Sequence, residues 1–248
     1  MGWWAMNSLR DLFGRVMSSQ DLSDAATGCR VLRIAFSSPE QVRSRRVVTR
    51  SRFRPTGKYP SWKMERMLQW ESMNELNAFR LLDRDPRVTV FTEQPCEIVY
   101  FDGTDTRHHY PDVYVEIDNN QELWEVKAGC EASQSEVSTR TELLTSGLRG
   151  YGFTYRVVLD HELAKEPRLE NAKTLLRYGR RAASDNEREY VRLVLEDKGH
   201  LSWSEVCEGA FGTHSREIVC HLVLEGGLSF DVDSPLSLST QFLERRNH

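Results

Sequence analysis

The chain has 248 residues, a net charge of −4, 39% hydrophobic residues and 10% aromatic residues. That is enough apolar material for the core of one large domain or two small ones, and it argues against a disordered or low-complexity chain. Five scattered cysteines without C-x-x-C spacing argue against a disulfide frame or a zinc ribbon. No apolar run approaches the ~20 residues of a membrane span, and the apolar segment of "MGWWAMNSLRDLF" is too short for a secretory signal. An ordered cytoplasmic protein with no membrane association is expected.

Residues 1–60 read as an irregular N-terminal extension, with turns at "SSPE" and "RPTGKYPS". They carry eleven Lys and Arg against four Asp and Glu. Arg45, Arg46, Arg50, Arg52, Arg54 and Lys58, interleaved with Phe53 and followed by Tyr59, suit contacts to DNA phosphates. A solvated loop with incidental positive charge is the other reading.

From residue 61 to about 180, strand and helix patterns alternate, giving a mixed α/β domain. Met67–Ser72 reads as extended. Met73, Leu76, Phe79 and Leu82 recur at helical spacing, bounded by Pro86. Glu75 borders that apolar stripe, with Ala78, Phe79 and Leu82 at i+3, i+4 and i+7, where an anion needs compensation. Ser72-x-x-Glu75 is also a capping box, which gives Glu75 a local role, and Glu71 stands one turn earlier as the alternative. Strands are expected over Val88–Phe91 and Glu97–Phe101.

The stretch "HHYPDVYVEIDNNQELWEVKAG" (108–129) reads as a β-hairpin: Val113, Val115 and Ile117 alternate with polar or aromatic residues, "DNNQ" supplies the turn, and Leu123–Lys127 returns. Glu125 and Lys127 share one face of the return strand. With Asp112 on that face, two carboxylates converge, an arrangement that a divalent cation relieves. Cross-strand pairs of opposite charge also occur with no metal. His108 and His109 read as ordinary polar residues flanking the strand. A second helix follows within "SQSEVSTRTELLTSGLRGYG", then a strand over Phe153–Leu159.

Residues 185–248 hold twelve acidic and six basic residues. "DNEREYVRLVLEDKG", "LSWSEVCEGAFG" and "SREIVCHLVLEGG" read as three helices and "LSFDVDSPLSL" as a β-ribbon, the layout of a small winged-helix-like domain. The would-be recognition helix offers only Arg216 and histidines, and the ribbon carries Asp231 and Asp233, so contact with protein is favoured over contact with DNA.

Pro111-Asp112 followed by Glu125-Val126-Lys127 resembles the PD-(D/E)XK nuclease superfamily. More narrowly, residues 60–180 resemble the TnsA endonucleases of heteromeric transposons. The resemblance rests on an ordered set: Glu75-Leu76, Asp85-Pro86, Glu93-Gln94-Pro95, Pro111-Asp112 and Glu125-Val126-Lys127. It implies a restriction-endonuclease-like core with a mixed central sheet flanked by helices. It also implies Mg²⁺, with Mn²⁺ as a substitute, held by Asp112, Glu125 and the backbone carbonyl of Val126. Lys127 would orient the attacking water and Glu75 would position water or a second metal. Hydrolysis would cut the 5′ ends of a transposon in double-stranded DNA, alongside a TnsB-like DDE transposase and a TnsC-like AAA+ ATPase. A stand-alone restriction or repair nuclease and a catalytically silent binding subunit are the alternatives.

Overall fold

The computed structural model describes residues 11–18, 28–38, 55–132 and 135–245. They form two compact units: one holds the described chain through Phe79 together with Val88–Leu163, the other Arg80–Arg87 together with the chain from Ala164. No helix among the described residues is long and apolar enough to cross a membrane.

In chain order the first unit runs β1 (Val16–Ser18), β2 (Cys29–Phe36), β3 (Gly57–Pro60), β4 (Met67–Trp70), α1 (Met73–Arg84, whose last turn belongs to the second unit), β5 (Val88–Glu93), β6 (Cys96–Asp102), β7 (Thr106–His109), β8 (Val113–Ile117), β9 (Asn120–Lys127), α2 (Gly129–Ala132), α3 (Ser135–Arg149), β10 (Thr154–Leu159) and α4 (Asp160–Leu163). One sheet has the order β1-β2-β6-β7, all antiparallel. The other, β10-β9-β8-β5, is mixed: β9 and β10 run parallel and the remaining pairs antiparallel. β3 and β4 form a separate hairpin.

Part of the first 60 residues departs from the irregular extension expected of them. Cys29–Phe36 is a strand paired with β6 along its length. Its buried residues, Val31, Ile34 and Phe36, are spaced three and then two apart because a bulge falls between Val31 and Arg33. The bulge erases the period-2 signature by which a strand is recognised. Phe36 stacks at 5.5 Å on Phe153, and α3 lies close to β2: a Cβ on Gly147 would stand 2.7 Å from a Val31 methyl. The basic residues Arg45, Arg46, Arg50, Arg52 and Arg54 lie outside the described residues; Lys58 is exposed on β3.

The β8–β9 turn is tighter than "DNNQ" suggested. Ile117 pairs with Asn120, leaving a two-residue loop in which Asp118 and Asn119 have φ of 48° and 64°. Both values lie in the left-handed region that such loops demand and that Asn and Asp tolerate. β8 is buried on both faces at Val113, Tyr114 and Val115. α3 packs against β10 with Leu144 and Leu148 buried, and Phe79 of α1 meets Phe91 of β5 at 6.1 Å.

The second unit continues with α5 (Arg168–Tyr178), α6 (Asp185–Lys198), β11 (Leu201–Ser202), α7 (Trp203–Glu208), α8 (Ser215–Glu225), β12 (Leu228–Ser229) and β13 (Gln241–Glu244). Ser184 with Glu187 and Ser202 with Glu205 form complete capping boxes that start α6 and α7. α8 is the core of the unit: Ile218, Val219, Cys220, Leu222, Val223 and Leu224 are all buried. Only three short strands pair here, in the order β11-β13-β12. The expected ribbon over 228–238 is therefore corrected, since the strand that pairs with β12 lies at Gln241–Glu244. The segment between them is held as a loop by buried Asn171, which donates to the Val232 and Ser234 carbonyls at 3.0 and 2.9 Å and accepts from Leu236 N at 3.1 Å. Backbone groups bonded to a side chain in this way are no longer available to a strand ladder.

Candidate active site

The β8–β9 register brings the charged residues of the hairpin together. Val113 pairs with Trp124, and Asp112 extends the ladder by donating its N–H to the Trp124 carbonyl at 2.9 Å. Asp112 therefore stands opposite Glu125 with its side chain on the same face, and Lys127 shares that face two residues on. Asp112 Oδ2 accepts the Val126 N–H at 2.7 Å. In an extended strand a residue's carbonyl points to the same edge as its N–H, so the Val126 carbonyl also faces the edge where Asp112 lies.

The two carboxylates sit in opposite electrostatic environments. Glu125 is only 4% exposed, yet four donors from four elements converge on it. Lys127 Nζ lies 2.9 Å and Arg140 Nη2 3.2 Å from Oε1; His109 Nε2 lies 3.0 Å and the Tyr155 hydroxyl 3.5 Å from Oε2. Burial disfavours the Glu125 charge, but His109 and Lys127 outweigh it and hold the carboxyl below its ordinary range. Asp112 goes the other way: burial, then the negative charges of Glu125 and Glu75, push it well above the ordinary carboxylate range, and the Val126 N–H and Lys127 offset this only in part. Burial also works against the Lys127 ammonium, but Glu125 and Asp112 prevail and raise it.

Glu75 occupies both roles that its sequence position allows. It opposes ionisation of Asp112. Its oxygens are nonetheless engaged locally: Oε2 accepts from Glu71 N at 2.8 Å, Oε1 from the Ser72 hydroxyl at 3.0 Å, and Ser72 Oγ accepts from Glu75 N at 3.1 Å, a capping arrangement at the start of α1. Glu71 receives Gln94 Nε2 at 3.1 Å, while Gln94, at φ 41°, donates its N–H to the Asp112 carbonyl at 2.8 Å. Glu93 is structural: 2% exposed, it is gripped by both Arg66 Nη groups, at 3.1 and 2.7 Å, and by Gln69 N at 3.2 Å.

Besides Tyr155, two residues enter the site that the sequence reading did not place there, and one of them is a correction. His109, taken for an ordinary flanking residue, is buried and its Nε2 stands 3.0 Å from both Glu125 Oε2 and the Tyr155 hydroxyl. Arg140 is the other. Leu143, Leu144 and Leu148 follow it at i+3, i+4 and i+8, so the spacing argument that marks Glu75 marks Arg140 as well.

Among the described residues no three His, Cys, Asp or Glu side chains are grouped to hold a metal ion. The donors that do meet, two carboxylates and a backbone carbonyl, are hard oxygen ligands of the kind Mg²⁺ takes while retaining water. The raised Asp112 carboxyl marks a place where positive charge is in deficit. On both counts the residues fit a divalent cation. Compared with known proteins, the chain matches no family model and no curated protein.

Proposed function

We propose that this chain is a Mg²⁺-dependent DNA endonuclease that hydrolyses a phosphodiester, with a PD-(D/E)XK core as its first unit. The observation that carries the reading is the hairpin register, which sets Asp112 against Glu125 on one face with Lys127 bonded to Glu125 at 2.9 Å. Asp112, Glu125 and the Val126 carbonyl would hold the ion. Mg²⁺, when bound, supplies a Lewis acid that offsets the negative charge building on the phosphate and eases deprotonation of water.

The remaining work falls to the chain itself. Lys127 places a cation where charge develops on a non-bridging phosphate oxygen and orients the attacking water. His109, Arg140 and Tyr155 fix the orientation of the Glu125 carboxylate. Glu125 already has two donors on each oxygen, so an ion held there would take the place of one of these contacts. Glu75 adds negative charge beside Asp112 and positions water or a second ion.

The five-part motif set supports a TnsA-like role: cutting the 5′ ends of a transposon in double-stranded DNA, in company with a DDE transposase and an AAA+ ATPase. The second unit is read as winged-helix-like from α6, α7 and α8 and its three short strands. Its α8 is buried along most of its length, which leaves little of it to enter a DNA groove and favours docking to protein through this layout.

The test is Mg²⁺-dependent nicking of transposon-end DNA by the chain with its neighbouring transposase, comparing wild type with Asp112→Ala and Lys127→Ala. Loss of 5′-strand cleavage in both variants with 3′ cleavage retained is the expected result. Cleavage by the wild type alone would move the assignment to an independent nuclease. Nicking unaffected by either substitution would remove the site.

A further inference from the structure

A second charged cluster lies wholly within the second unit and plays no part in the chemistry above. The last turn of α1 and the residues after it bring Arg84 and Arg87 to a cavity of about 230 Å³ whose walls also carry Arg168 and Arg245. Asp85 is the only carboxylate that lines it, and Phe230 is part of its apolar floor. Gly226 keeps one wall close: at φ +85° it faces Pro86, and a Cβ there would stand 3.0 Å from the proline and 3.4 Å from Arg245 Nη1.

Two of the four guanidinium groups are matched by acids. Arg87 grips Asp85 with Nε at 3.1 Å and Nη2 at 2.6 Å, and Arg168 grips Asp233 with Nε at 3.0 Å and Nη2 at 2.7 Å. Arg84 and Arg245 make no ion pair among the described residues, and Arg84 Nε is buried with no hydrogen-bond partner. Burial chiefly holds Arg84 below the usual arginine range; Asp85 is the strongest charge acting on it and pulls the other way, while Arg168 and Arg87 lower it further and Asp233 raises it. Arginine stays charged in proteins, so a buried guanidinium with no ion pair and an unbonded Nε is a place that an anion would compensate.

We propose that this arginine-lined cavity binds a phosphate group, and that its source is the backbone of the DNA on which the proposed nuclease acts. A carboxylate is already well served by one guanidinium fork, as Asp85 and Asp233 each show. Arg84 and Arg245, together with the Nη1 groups that Arg87 and Arg168 keep outside their carboxylate forks, offer more donors than a carboxylate accepts and suit the oxygens of a phosphodiester. The second unit thus holds one place where positive charge gathers round a cavity. The DNA source rests on the endonuclease reading; the anion site itself does not.

The experiment uses the full chain in EDTA, so that no cleavage is needed. Duplex DNA binding is measured against KCl concentration for wild type, Arg84→Ala and Arg168→Ala, the last a half-exposed position, with the melting temperature of each variant taken as a check on folding. Each alanine variant should bind several-fold more weakly at low salt, and the slope of log K against log salt should fall by about one. Arg84→Lys, which keeps the charge, should keep the slope. In a parallel arm inorganic phosphate, at constant ionic strength, should raise the melting temperature of wild type but not of Arg84→Ala. DNA binding with an unchanged slope in both alanine variants overturns the DNA assignment, and a thermal shift that persists with inorganic phosphate would then assign the cavity to a free phosphate. A thermal response to phosphate equal in wild type and Arg84→Ala overturns the site altogether. Failure of the wild type to bind DNA at all sinks the nuclease reading instead.

Discussion

The two units concentrate opposite charges, and they compensate them differently. In the first, carboxylates gather at a sheet surface and cations are brought in to meet one of them: Glu125 has Lys127, Arg140 and His109, while Asp112 has one side-chain hydrogen bond, to a backbone N–H. In the second, arginines gather round a cavity and acids reach only two of them. In each place a fully matched ion pair sits next to an under-matched group of the same sign. On the proposals above, the matched member would fix the geometry and the under-matched member would receive the ligand's charge.

The largest expected break in this comparison is Asp112→Ala. If the under-matched carboxylate holds the ion, nicking should fall by about 10³-fold or more, because a ligand of the ion contributes several kcal/mol of transition-state stabilisation. Single-turnover cleavage measures it, and a loss under tenfold would mean that Asp112 is ordinary strand surface. Next in size is Arg66→Ala, which strips the bidentate partner from a Glu93 that is 2% exposed and should cost roughly 3–5 kcal/mol of stability in urea unfolding. Lys127→Ala should slow nicking by about 10²-fold with little change in melting temperature, since Lys127 is half-buried and its charge acts on the reaction.

Smaller again are His109→Asn and Arg140→Ala, each expected to lower activity or Mg²⁺ affinity by roughly 10- to 100-fold, read from the Mg²⁺ dependence of nicking. The smallest effect concerns stability. Asp112 is raised in the folded protein, so its contribution is present at low pH and is lost as pH climbs from about 4 through its elevated pKa. Metal-free wild type should therefore lose stability over that interval, Asp112→Asn should flatten this component of the profile, and Mg²⁺ should restore stability on the alkaline side. A wild-type profile identical to that of Asp112→Asn would show that the carboxyl is solvated.

What the sequence made legible is the part of the site that lies on one hairpin. Strand alternation and a turn place Glu125 and Lys127 on a shared face, and the ladder then brings Asp112 across from Glu125. The groups that tie Glu125 down arrive from β7, α3 and β10, and their approach depends on sheet order rather than on local pattern. His109 is the clearest case, because "TRHH" forms a strand whose first three residues are exposed and only the fourth is buried, which leaves no alternation to read. β2 was hidden by its bulge, and β13 by a loop that one buried asparagine holds in place. Arg140 carried a signal, the leucine stripe that follows it, of the same kind that drew attention to Glu75.

The turn at Asp118 and Asn119 acts as the phase setting of the hairpin. Because side chains alternate with a period of two, adding one residue there and shifting the pairing by one would leave β9 on its parallel neighbour β10 but turn Asp112 away from Glu125. Loops at a protein's surface usually absorb length changes without harm. This one should accept them only in pairs, so that a turn remote from any reacting atom carries the strictest length requirement in the domain.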